Sequence, residues 1–177
     1  PVSNMLPSQN EIGLNKPVSL SWAPARDATV YDVYIWADGE SQPVTPQIQN
    51  LSQINTTYNE LNFGTTYHWR VVAKNICNQM VNGPVFAFSI RDLPDIIIDT
   101  VISPPNAFSG EEIEIEWQTR NMGPGTTESQ VWSDAVYLST DATLNVSFDT
   151  YLGAVQNLTS LDSGIVYTNT GTFMVPN

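Results

Sequence analysis

The stretch from Leu61 to Asn75 constrains the fold of this chain more than any other. Tyr67, Trp69, Val71 and Ala73 fall at every second position, with His68, Arg70, Val72 and Lys74 between them. Successive side chains of a strand point to opposite faces, so the pattern predicts a half-buried strand with a mostly polar outer face. Gly64 stands in the corner just upstream, a place for a positive φ. A Tyr at the head of a strand, after such a corner, is a β-sandwich signature. Its ring enters the core and its hydroxyl bonds nearby backbone. Leu61 is expected to plug the core beside it.

Composition agrees with a β fold. The 177 residues include 12 Pro and 10 Gly, with β-branched and aromatic residues in short runs. That length allows one large domain or two small ones. No run of about 18 apolar residues occurs, so no membrane insertion is expected. Pro1 opens the chain with neither an initiator Met nor a signal peptide, as expected of a piece of a processed or longer protein. The net charge of −12 is unevenly spread: residues 1–93 carry seven acids against five bases, residues 94–177 eleven acids against Arg120 alone. Such a surface repels phosphate backbones and anionic lipid, which argues against nucleic acid as a partner. The single Cys, Cys77, excludes an intrachain disulfide. With His68 the only histidine, a structural zinc site is not expected.

Before the corner, Lys16–Trp22 reads as a strand with Val18, Leu20 and Trp22 inward. Thr29–Trp36 reads as the next; Asp32 on one face makes Tyr31, Val33 and Ile35 the inner set and leaves Trp36 near the surface. Residues 1–15 read as a loose edge segment, and a short edge strand is expected around Gln47–Ile48. Thr57-Tyr58-Asn59 reads as the lead into the corner. Ile76–Pro84 reads as a loop, and Val85–Arg91 as a last strand with Phe86, Phe88 and Ile90 inward. In this order, Leu61-x-x-Gly64-x-x-Tyr67-x-Trp69-Arg70-Val71 resembles the corner and following strand of a fibronectin type III domain, and the likeness runs over about ninety residues. The loop that carries an integrin-binding Arg-Gly-Asp in some members of that family is here Asn75–Gly83, without the motif.

Asp92-Leu93-Pro94 reads as a linker, since Pro94 offers no backbone donor. Beyond it, strands are expected at 95–102, 112–119, 131–139, 151–155 and 165–175, with Ile113, Ile115 and Trp117 inward and Glu112, Glu114 and Glu116 outward. Ala107-Phe108-Ser109-Gly110, Asn121-Met122-Gly123, Trp132-Ser133-Asp134-Ala135-Val136-Tyr137-Leu138-Ser139 and Thr150-Tyr151-Leu152-Gly153 resemble a CARDB module, a cell-adhesion-related domain of exported bacterial and archaeal proteins. The resemblance implies an immunoglobulin-like sandwich, of which a Gly-Tyr-Tyr-type strand is missing here. The expected fold class is therefore all-β, with two tandem immunoglobulin-like sandwiches at 1–92 and 93–177. The second is expected to be truncated and completed by sequence beyond Asn177.

Candidate sites are few. Asp134, Asp141 and Asp149 offer oxygens to a calcium ion, but the loop lacks the dense acids and the Gly of an EF-type site; turn-forming bonds to their own backbone are the plainer reading. Glu112, Glu114 and Glu116 could meet cations, or be a solvated face that discourages edge pairing. Trp36 and Trp132 could stack on sugar rings or pack in cores. His68 and Cys77 lack a third orienting group for thiol chemistry. Sequons begin at Asn50, Asn55, Asn145 and Asn157. No catalytic residue, cofactor or metal ligand is assigned. The expected role is a non-enzymatic spacer or adhesion module, extracellular or at the cell surface, in an exported bacterial multidomain protein. Its partners would be other domains of the same polypeptide, or a cell-surface protein or glycan. The alternative is an accessory region of a polysaccharide-degrading enzyme whose catalytic domain lies outside this chain.

Overall fold

A computed structural model describes residues 2–129 and 131–177. The described residues form strands and no helix. They divide into two compact units, Pro1–Asp92 and Leu93–Asn177.

The first unit has eight strands: β1 (Ser3–Leu6), β2 (Glu11–Leu14), β3 (Val18–Ala23), β4 (Val30–Ala37), β5 (Ile48–Leu51), β6 (Asn55–Tyr58), β7 (Thr66–Lys74) and β8 (Met80–Ile90). One sheet runs β1-β3-β6, the other β2-β8-β7-β4-β5. The inner faces follow the alternation in the sequence. Val18, Leu20 and Trp22 from β3, Tyr31, Val33 and Ile35 from β4, and Tyr67, Trp69, Val71 and Ala73 from β7 share one core with Phe88 and Ile90. This is a two-sheet sandwich in which each inner face covers the other.

Three features of this unit depart from expectation. Residues 1–15 hold two strands rather than a loose segment, and β2 runs parallel to β8. Residues 55–58, of which Thr57 and Tyr58 read as part of the lead into the corner, form β6 and pair with β3; Asn and Thr in a short edge strand give little apolar alternation to read. The last strand starts at Met80, not Val85. Gly83-Pro84 looks like a turn, but it sits at a register shift of the β7–β8 ladder, where a missing N–H is tolerated. A Cβ on Gly83 would come within 2.7 Å of the Val71 carbonyl oxygen, so only glycine lets the strands approach there.

The second unit has five strands: β9 (Ile96–Ile102), β10 (Glu112–Asn121), β11 (Trp132–Leu138), β12 (Thr150–Asn157) and β13 (Val166–Met174). They form a three-stranded sheet, β13-β10-β9, and a two-stranded one, β11-β12. Ile115, Trp117 and Phe173 make a small core, with Ile113, Val136, Leu152 and Val155 packed on it. The apolar strand β9 is exposed at all seven positions. The Glu row lies on β10, which is the central strand of its sheet, so these acids form a solvated face and not an edge guard.

Candidate functional site

The corner before β7 is built as the sequence implies. Gly64 has φ +64°, and the Tyr67 hydroxyl accepts a 2.8 Å hydrogen bond from the Asn62 amide. Leu61 is buried in the core. The Tyr67 ring stacks on Phe88 with centroids 6.0 Å apart. Lys16 closes the corner from outside: its Nζ donates to the Leu61 carbonyl at 2.6 Å and lies over the Phe63 ring. This arrangement fixes a chain reversal and presents no reactive group.

On the outer face of the five-stranded sheet, His68 Nε2 lies 2.9 Å from Asp38 Oδ1. That hydrogen bond is the main reason the Asp38 carboxyl titrates below its usual range. The half-buried Trp36 lies beside the His68 ring, 5.7 Å between centroids and tilted by 30°. Asp32, also on the outer face, is nevertheless buried: Lys74 Nζ is 2.7 Å from one oxygen and the Asn50 amide donates to the other. Cys77 is exposed in the turn between β7 and β8, where Asn75 Oδ1 accepts from the Cys77 and Gln79 amides. His68 is thus engaged by Asp38 and Trp36, and the structure shows no bond joining it to Cys77.

In the second unit the three candidate acids are used separately. Asp141 Oδ1 accepts from the Thr143 amide, and Asp149 Oδ2 from the Asn145 amide, each closing its own turn. Asp134 instead lies in the interior network. Its Oδ2 accepts from Trp117 Nε1 at 2.8 Å, from the Tyr167 hydroxyl and from Asn169 Nδ2. Trp132 Nε1 donates in turn to the Tyr167 oxygen. Burial first, and then the bond to Asp134, raise the Tyr167 phenol above its usual range. Trp132 is therefore half-buried and tied inward. Among the described residues, no three His, Cys, Asp or Glu side chains are grouped as metal ligands.

Asn121 is a residue the sequence reading did not single out. It is fully buried and uses its whole amide: Oδ1 accepts from the Asp95 and Gly123 amides, and Nδ2 donates to the Gly125 and Leu161 carbonyls. Its neighbour Gly123 packs so closely on residues 93–95 that a Cβ would sit 2.4 Å from the Asp95 nitrogen. The signal was the Asn-x-Gly-Pro-Gly sequence, which reads as a simple turn unless one knows what packs on it. The sequon residue Asn157 is likewise buried, with Nδ2 bonded to the Thr159 carbonyl, so its amide is occupied.

Between the two sheets of the second unit lies an open trough of about 610 Å³, lined by apolar side chains of both sheets and by Asp134.

No family model matches the chain, and no curated protein matches it. Among solved structures, it is similar to an Fn3-like protein from Clostridium thermocellum, at 19% identity and a TM-score of 0.41, over 52% of this chain and 93% of that one. It is similar also to the fibronectin(III)-like modules of Clostridium thermocellum CbhA, at 12% identity and TM-score 0.36, over 99% of this chain and 94% of that one. A third likeness is to the FN1–FN3 domains of chicken CNTN1, at 14% identity and TM-score 0.32, over 97% of this chain and 58% of that one. Likenesses this distant carry no function across to this chain.

Proposed function

We propose that this chain is a non-catalytic pair of β-sandwich modules from an exported multidomain protein, working outside the cell or at its surface. It acts as a spacer or adhesion element that positions neighbouring domains or contacts a surface partner. The observation that carries this reading is the use made of the polar side chains. His68, Asp38, Asp32, Lys74, Asn121 and Asp134 each hold a strand or turn in place. The CARDB resemblance of residues 93–177 supplies the adhesion part. Binding of the chain to a panel of cell-surface proteins tests it. Polysaccharide hydrolysis by this chain, lost on one substitution within it, would sink the non-catalytic reading.

A second reading, an accessory region of a polysaccharide-degrading enzyme, is favoured by one feature. Trp36 stands on the outer face of a sheet, half-exposed and backed by His68. A partly exposed aromatic ring held against a neighbouring side chain suits a sugar face. A glycan array with the parent chain and Trp36→Ala separates the readings: glycan binding lost in the variant selects the second.

A further inference from the structure

We infer that Lys74 and Asn50 are the two halves of an intramolecular isopeptide bond, formed with the help of Asp32. The three side chains meet on the outer face of the five-stranded sheet of the first unit. Lys74 Nζ donates to Asn50 Oδ1 at 2.7 Å and lies 2.7 Å from Asp32 Oδ2. The other Asp32 oxygen accepts from the Asn50 main-chain amide at 2.9 Å. One carboxylate thus holds both the amine and the residue whose side-chain carbonyl that amine touches.

Burial sets this cluster apart from an ordinary surface pair. The side chains of Asp32 and Lys74 are 8% and 14% exposed, although both stand on the face turned away from the core. A buried ion pair adds little stability by itself, because each charge has lost its water. Asn50 adopts φ +53°, an uncommon conformation for a residue other than glycine. With that backbone its main-chain N–H reaches Asp32 while its side chain reaches Lys74. The bond would also secure a weak place. Strand β5 is the edge of its sheet and meets β4 at two residue pairs, with a register shift between them. Lys74 belongs to β7, on the far side of β4. A covalent link from Asn50 to Lys74 crosses β4 and locks the edge strand to the middle of the sheet.

The chemistry balances without an added reagent. Lys74 passes a proton to Asp32 and becomes a neutral amine, the form that attacks carbonyls. Nζ adds to Asn50 Cγ, the carbon bonded to the oxygen it already touches. Approach from above the amide plane needs a turn about the last Asn torsion, which is soft. Asp32 gives its proton to Nδ2 and takes one from Nζ. The Cγ–Nδ2 bond breaks, ammonia leaves, and the Nζ–Cγ bond remains. The ammonia takes the last proton from Asp32 and departs as ammonium. One lysine ammonium and one primary amide become one secondary amide and one ammonium ion, with nothing oxidised or reduced. The inference does not depend on what the chain binds.

The test is the mass of the whole denatured chain, followed by a tryptic digest. The expected mass is one ammonia below the sum of the residues. Trypsin should no longer cut after Lys74, so residues 27–70 should appear joined to residues 71–91. Lys74→Arg and Asn50→Gly should each show the full mass of their own residues. Glycine also relaxes the positive φ and keeps the N–H that reaches Asp32, so the second variant retains the fold. Asp32→Asn should leave the bond unformed; should it misfold, the other two variants decide. The full mass in the wild-type chain would overturn the inference. So would an ammonia loss that persists in Lys74→Arg, which marks a ring closed by Asn50 on its own backbone. A bond formed as fast in a folded Asp32→Asn chain would overturn the part given to Asp32.

Discussion

The two units set the same three-stranded plan against different neighbours. In the first, β3 stands between β1 and β6; in the second, β10 stands between β9 and β13. Each central strand alternates cleanly and puts a Trp inward, Trp22 at 3% exposure and Trp117 at 4%. The sheet opposite has five strands in the first unit and two in the second. Sixteen buried side chains make the first core and three the second. Strand β9 is apolar at most positions yet exposed throughout, while the Thr- and Asn-rich β6 closes a packed sheet. Whether an apolar strand is buried depends on what lies across from it, and its own composition does not decide that.

The sharpest way to break this comparison is to truncate one Trp in each unit. Trp69 is fully buried, and its Nε1 has no acceptor among the described residues, so its contribution is packing. Trp69→Ala should cost about 3–5 kcal/mol, the range for emptying a large aromatic site. That is enough to unfold a marginal domain. Trp117→Ala should cost less, because Trp117 already borders the open trough. Urea titration followed by circular dichroism checks both; equal losses would refute the idea that the second core is open.

Asn121→Ala probes the polar counterpart of the Tyr67 corner. The variant strands two amides and two carbonyls in a buried turn. A loss of about 2–3 kcal/mol is expected, the scale for unsatisfied buried groups. A loss under about 0.5 kcal/mol would mean that water replaces the side chain.

These residues also show how much the sequence discloses. The core of the first unit was legible because the inner residues of β3, β4 and β7 fall at every second position, and because Gly64 and Tyr67 fix the corner. Strands β2 and β6 were not legible: four residues each, β2 interrupted by Gly13 and β6 mostly polar, and both held mainly by ladder bonds to β8 and β3. The five strands of the second unit were legible by position, but the exposure of β9 was not. A continuous apolar run ordinarily signals burial on both faces. Asp134 sits on the inward register of Trp132 and Val136, which was the available sign that it serves the interior. Its partner Tyr167 is 33 residues away in sequence, and spacing alone cannot join the two.

Tyr67→Phe tests the corner itself. Removing the hydroxyl leaves the Asn62 amide without its acceptor while the ring stays stacked on Phe88. A cost of about 1–2 kcal/mol is expected. The same melt on a Gly64→Ala variant should show a further strain cost, since φ is +64° there and the added Cβ would lie 2.7 Å from an Asp92 oxygen. Wild-type stability in Tyr67→Phe would mean the corner is held by packing alone.

The smallest expected effect lies at alkaline pH and centres on Tyr167 in the second unit. Burial and the bond to Asp134 raise the Tyr167 phenol in the folded chain. A group whose folded pKa lies above its unfolded value binds its proton more tightly when folded. Its stabilising contribution is complete below the unfolded phenol value, about 10. It is lost as pH rises from there through the folded value. The second unit should therefore soften above about pH 10. Tyr167→Phe should flatten that limb of its stability curve, because no proton is then released on unfolding at this site. Asp134→Asn should shrink the limb without removing it, since burial, the larger cause, remains. Amide exchange of β11 and β13 across this pH range, corrected for the intrinsic rise in exchange rate, reads the effect locally. An alkaline limb identical in wild type and Tyr167→Phe would show that Tyr167 ionises as freely folded as unfolded, and that its hydrogen bond to Asp134 does not hold the two sheets together.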